Sequence, residues 1–151
     1  MASPRCLKSH EYFDPRYPRV IYVVRDVRSV AVSLYHHLQM LKQLPEDQDI
    51  DEFVLKFLSG TTNNYGSWRE NVLSWTSVRE KATDRFLLLK YESLKDDCES
   101  ELARISDFLQ LGKSTDEIEQ IVQLSAFERM KKLEKEGICL LYTSPSPRDR
   151  G

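Results

Sequence analysis

The chain has 151 residues, 40% of them hydrophobic and 30% charged, which sets it apart from disordered segments and makes one globular domain the natural expectation. A formal net charge of −2 argues against a general polyanion-binding surface. No apolar run approaches the ~20 residues that a membrane-spanning helix needs.

In chain order, the segment from Lys8 to Arg19 carries two prolines and several aromatics and is expected to be a structured loop. Val20–Val24 (Val-Ile-Tyr-Val-Val) is expected to be a buried strand. Asp26 is the expected N-cap of a helix that places Val27, Val30, Ala31, Leu34, Leu38 and Leu41 on one face. A short helix is expected over Ile50–Leu58, then a polar loop over Gly60–Gly66 and a helix over Ser67–Arg79. Phe86–Lys90 reads as a second strand, followed by Tyr91-Glu92 and one long helix with Leu102, Ile105, Phe108 and Leu109 inward. Gly112 is the expected cap of that helix. Two more helices are expected near Thr115–Leu124 and Ala126–Glu136.

Three cysteines, Cys6, Cys98 and Cys139, have no metal-like spacing, and an odd, sparse set fits a reducing compartment. The N-terminus has no apolar core of a signal peptide, so the expected location is the cytoplasm. The tail from Ile138 to Gly151, with its Ser-Pro-Ser-Pro run, cannot continue a helix. It is similar to translated sequencing-adapter read-through. The expected division is therefore a domain over 1–137 and a non-native tail over 138–151, with a natural disordered tail as the alternative.

The junction Val20–Ser33 is the chemically informative segment. A strand runs into Arg25-Asp26 and then a helix, the place where α/β proteins hold anions, because strand ends open onto a crevice and helix N-termini present backbone N–H groups. Arg25 adds a fixed charge and Ser33 a hydroxyl two turns on. The first 28 residues carry six basic residues (Arg5, Lys8, Arg16, Arg19, Arg25, Arg28) against three acids (Glu11, Asp14, Asp26), which suits a small anion better than nucleic acid. Taken singly, each residue has an ordinary structural alternative: an ion-paired arginine, a helix serine bonded to its own backbone, a surface histidine. His36 and His37 occupy adjacent helix positions and make a poor metal site, so no metal is expected.

Five ordered segments together resemble the sulfotransferase family that uses 3′-phosphoadenosine 5′-phosphosulfate (PAPS), over about Arg5 to Lys132. They are Lys8-Ser9-His10; Val20 to Ser33 with Tyr35-His36; Tyr65-Gly66-Ser67-Trp68 with Trp75; Leu88-Leu89-Lys90-Tyr91-Glu92; and Ser125-Ala126-Phe127 with Met130-Lys131. The resemblance implies an α/β fold, part of a P-loop-like three-layer architecture with a parallel sheet flanked by helices. It implies that Arg25 and Ser33 hold the 3′-phosphate, a planar permanent cation beside a neutral donor. It implies His10 as general base, Lys8 as a stabiliser of charge at the transferring group, and Tyr91 and Phe127 against adenine with Ser125 beside them. Trp68 and Trp75 are expected to be packing residues. The implied reaction moves a sulfuryl group from PAPS to an alcohol, phenol or amine of a small-molecule acceptor, without metal, nucleic acid or membrane. A homodimer stays open.

Two family segments have no counterpart. One is the opening strand with its Lys-Ser-Gly-Thr-Thr-Trp-type loop, for which Gly60–Ser67 has the wrong spacing and no lysine; the other is the closing Arg-Lys-Gly. The resemblance then implies a fragment, expected to show little or no turnover by itself. A degenerate module that binds adenosine 3′,5′-bisphosphate without catalysis is the alternative. A small kinase on a related scaffold is the weakest reading, since no Walker-type Gly-x-x-x-x-Gly-Lys-Ser/Thr occurs.

Overall fold

The strand β1 (Val20–Val24) consists of β-branched and aromatic residues, the types that fit a pleated, half-buried surface. It pairs in parallel with β2 (Phe86–Lys90), from Val20 opposite Phe86 to Val24 opposite Lys90. A parallel pair requires a long crossover. Among the described residues it holds three helices: α1 (Val27–Met40), α2 (Ile50–Ser59) and α3 (Trp68–Thr76). Beyond β2 come α4 (Tyr91–Asp96), α5 (Cys98–Leu109) and α6 (Thr115–Ser125). This computed structural model describes residues 6–62, 65–77, 84–125, 129 and 132. The expected helix at Ala126–Glu136, the tail at 138–151, Cys139 and the proposed adenine contact Phe127 lie outside them, apart from Arg129 and Lys132. The chain divides into two units, Met1–Asp96 and Asp97–Gly151.

In the first unit, Ala31, Tyr35, Phe53 and Phe57 form a buried cluster, with Val27, Val30, Leu34, Leu38, Leu44, Val54 and Trp68 packed on it. Burial of one side chain such as Phe53 contributes about 1.5–3 kcal/mol. Leu41, expected on this face, is exposed: it lies one residue past α1 as its C-cap, where the helical stripe has ended. Aromatic rings fill the space between β1, β2 and α3. Trp75 is buried and stacks on Tyr22 and Phe86, with Phe13 edge-on to it. Both tryptophans are thus packing residues.

Capping fixes the helix starts. Asp26 accepts from the N–H groups of Arg28 and Ser29, as expected. Asp49 does the same for α2 through Asp51 and Glu52. Ser67 and Glu70 close a reciprocal capping box on α3.

Beyond β2 two expectations are corrected. The single long helix after β2 is two, because Asp97 breaks the run and caps α5 by accepting from the Ser100 N–H. The cap at the end of α5 is Gln110, not Gly112: Gln110 takes the left-handed conformation (φ 57°), and its N–H and that of Leu111 close the last turn on Asp107 and Ser106. Leu102, Ile105, Phe108 and Leu109 are half-buried on α5.

Candidate functional site

Parallel register decides what meets at the C-terminal ends of the strands. Val24 is level with Lys90, so the chain leaves the sheet at Arg25 on one strand and at Tyr91, the first residue of α4, on the other. The Arg25 guanidinium lies 4.4 Å from the centroid of the Tyr91 ring, a cation–π contact that limits where the cation can point. Arg25 is half-buried, and its side chain lines an open cleft of ≈ 210 Å³ together with Val30, Ser33, Leu34 and His37. Ser33 sits two turns into α1 on the same face, so the expected pairing of Arg25 with Ser33 in one cleft is present.

The backbone amides at the start of α1, expected to face an anion, are occupied. Asp26 Oδ1 accepts from the N–H groups of Arg28 and Ser29, at 3.1 and 3.2 Å. The Asp26 N–H itself donates to Glu92 Oε1 at 3.0 Å. The chain's own carboxylates therefore take the places an anion would occupy at these three amides. The polar side chains that line the cleft are those of Arg25, Ser33 and His37. Bonds to Arg28 and Ser29 hold the Asp26 carboxyl below the usual carboxylate range.

His37 is a cleft residue that the sequence reading set aside with His36. The signal was available: His37 follows Ser33 by four positions, one turn along the same helix face.

Lys8 and His10 lie in the N-terminal loop and are not part of that cleft's lining. α3 straps the loop down. Asn71 Nδ2 donates to the His10 and Glu11 carbonyls at 3.0 and 3.2 Å, and Trp75 Nε1 donates to the Glu11 carbonyl at 3.0 Å. The Phe13 N–H donates to Ser74 Oγ at 2.8 Å. The His10 ring is solvent-accessible on one side and set against Tyr65, with ring centroids 5.5 Å apart. Partial burial lowers its pKa, Lys8 pushes the same way and Glu11 opposes. A neutral imidazole at neutral pH is the form that can accept a proton.

Ser125 belongs to the second unit, where it ends α6; its hydroxyl donates to the Ile121 and Val122 carbonyls. Asn71 and Glu92 were not singled out as site residues from the sequence, since their bonds join segments about sixty positions apart.

Past the ends of a parallel β-pair, Arg25 lies over Tyr91 and shares a cleft with Ser33, and the domain that this chain matches is the sulfotransferase domain. The model of that domain matches residues 1–143, and the chain belongs to this family. It is 32% identical over 136 residues to mouse sulfotransferase 1E1, covering 85% of this chain and 45% of that protein. It is 36% identical over 123 residues to the guinea pig (Cavia porcellus) 3-beta-hydroxysteroid sulfotransferase, covering 82% and 42%. Among solved structures, mouse sulfotransferase SULT7A1 complexed with PAP matches with a TM-score of 0.68 at 32% identity, over 75% of this chain and 40% of that one. Retinol dehydratase in complex with retinol and PAP matches with a TM-score of 0.70 at 28% identity, over 80% and 36%. The chain thus spans less than half the length of these relatives. Among the described residues no helix is long and apolar enough to cross a membrane.

Proposed function

We propose that this chain carries the 3′-phosphate half of a PAPS site and the general base of a sulfotransferase acting on small hydroxyl-bearing molecules. The observation that supports this reading best is the shared cleft: Arg25, held over Tyr91, and Ser33 line one open surface. A guanidinium presents a planar fork to phosphate oxygens, and a serine hydroxyl adds a neutral donor without competing charge. The donor set fits a phosphate monoester, and the exposed Tyr91 ring offers a face to a purine. PAPS, when bound, supplies an activated sulfuryl group and leaves as adenosine 3′,5′-bisphosphate.

The remaining chemistry belongs to the loop that α3 holds. His10, kept neutral, accepts the proton of the acceptor hydroxyl as the hydroxyl oxygen becomes the nucleophile. Lys8 meets the negative charge that gathers on the departing phosphate oxygen. The names of the relatives, a 3-beta-hydroxysteroid sulfotransferase and a retinol dehydratase bound to retinol, support an apolar alcohol as acceptor.

Calorimetric titration of the chain with adenosine 3′,5′-bisphosphate, with ATP as the competing ligand, tests the nucleotide assignment. The bisphosphate is expected to bind and to raise the melting temperature, and ATP to do so less. Arg25→Ala removes a charge-assisted phosphate contact, at a cost of about 1.5–3 kcal/mol in binding. Unchanged affinity in that variant would refute the site.

A further inference from the structure

Glu92 follows Tyr91 in the first turn of α4, directly past the last pair of the sheet, Val24 opposite Lys90. The two residues past β1 are thus each held by the two past β2. Arg25 lies over the Tyr91 ring, and the Asp26 N–H donates to the Glu92 carboxylate across 66 positions of sequence. The Asp26 side chain cannot hold this turn to β2, because it is committed to the Arg28 and Ser29 amides and to the Arg28 guanidinium. Arg28 points that ion pair along its own helix and leaves the Arg25 turn to Glu92.

We propose that Glu92 is a positioning residue of the nucleotide site: its carboxylate fixes the Asp26 amide, and with it the turn from which Arg25 enters the cleft. This rests on the reading of the Arg25–Ser33 cleft as a phosphate site. The benefit is preorganisation. A free arginine side chain has much rotamer entropy to lose on binding, and a turn fixed at its backbone, with the guanidinium already stacked, reduces that loss. The bond from the Asp26 N–H, and a lesser one from its own, keep the Glu92 carboxyl below the usual glutamate range; Arg25 adds to this and Asp26 opposes it. At neutral pH Glu92 is therefore both an acceptor that holds the turn and a negative charge near an incoming anion. These two effects act on phosphate affinity in opposite directions, which makes them separable.

Glu92→Gln keeps an acceptor oxygen and removes the charge, whereas Glu92→Ala removes both. The 151-residue chain and both variants are titrated with adenosine 3′,5′-bisphosphate by calorimetry, and the Asp26 amide is followed in ¹H–¹⁵N spectra. Glu92→Gln is expected to bind at least as tightly as wild type. Glu92→Ala is expected to bind roughly tenfold more weakly, the lower end of the range when a ligand-holding side chain loses its supporting partner. The Asp26 amide should shift upfield in the alanine variant and keep its place in the glutamine variant. Should the alanine variant not fold, Glu92→Asp, one methylene too short for the bond, replaces it. Wild-type affinity in Glu92→Ala, an Asp26 amide that does not move, or equal weakening by Gln and Ala would each overturn the positioning role. Absence of binding by the wild-type chain would instead overturn the phosphate reading on which it stands.

Discussion

The Tyr22 hydroxyl donates to Asn71 Oδ1 at 3.0 Å, joining the middle of β1 to the first turn of α3. The same amide turns its nitrogen the other way, to the carbonyls of His10 and Glu11. One side chain thus ties the strand, the helix and the loop that carries the histidine. Burial raises the Tyr22 pKa to about 12, so its hydroxyl remains a donor at any physiological pH.

Asn71→Ala should therefore destabilise the chain by about 1–3 kcal/mol, since it takes the acceptor from the half-buried Tyr22 hydroxyl and unties the loop at the His10 and Glu11 carbonyls. Tyr22→Phe removes a single bond and should cost about 0.5–1.5 kcal/mol. The two losses should fall short of additive in the double variant, because they share one hydrogen bond. Urea unfolding of the four chains measures this. Strict additivity would mean that the Tyr22–Asn71 bond carries no energy.

The pH dependence of stability has a definite sign at His10. Partial burial first, and Lys8 second, lower its pKa, so the unfolded chain takes up the proton at a higher pH than the folded one. Its contribution is present above the ordinary imidazole pKa and is lost as the pH falls through the folded value. The stability difference between wild type and His10→Gln should be flat above about pH 7 and should turn against wild type below about pH 6.5. Lys8→Met should move the His10 titration, followed through its ring proton by NMR, back toward the ordinary value. A His10 that titrates at or above that value in wild type would show the opposite environment.

Local signals carried most of the fold. The β-branched run Val20–Val24 and the cap Asp26 act within a few residues, so β1 and the start of α1 were legible. The same holds for β2, whose apolar run is short and sharply bounded. The break at Asp97 was missed because an aspartate can cap a helix as readily as it can ride on one, and only the backbone conformation decides. In the site, Arg25 and Ser33 were legible because one strand–helix unit carries both. Asn71 and Glu92 were not, because their bonds are long-range: Asn71 reaches the His10 carbonyl and Glu92 the Asp26 amide, each about sixty positions away. The expectation of open amides at the start of α1 failed because the N-cap Asp26 itself accepts from the Arg28 and Ser29 amides, while the Asp26 amide is taken by Glu92 of α4.

Two glycines frame the turn that leads into α3, and they should respond differently to a methyl group. Gly60 ends α2 in the left-handed conformation (φ 78°), and a Cβ there would lie 2.5 Å from the Ser67 nitrogen and 2.9 Å from the Gly66 carbonyl carbon. Those are backbone atoms, and Ser67 is the buried N-cap of α3, so relief requires α2 and the start of α3 to part. Gly66 also has positive φ, 73°, but the atom in the way is the Tyr12 hydroxyl, at the end of an exposed side chain that can swing aside. Gly66→Ala should therefore cost little beyond the backbone term of about 1–2 kcal/mol. Gly60→Ala should cost clearly more, because steric displacement of packed backbone adds to that same term. Thermal unfolding of the two variants, each alone and combined with Tyr12→Ala, measures the difference. Removal of the Tyr12 ring should leave the Gly60→Ala penalty untouched, and equal penalties for the two glycines would show that the α2–α3 turn yields as easily as a side chain does.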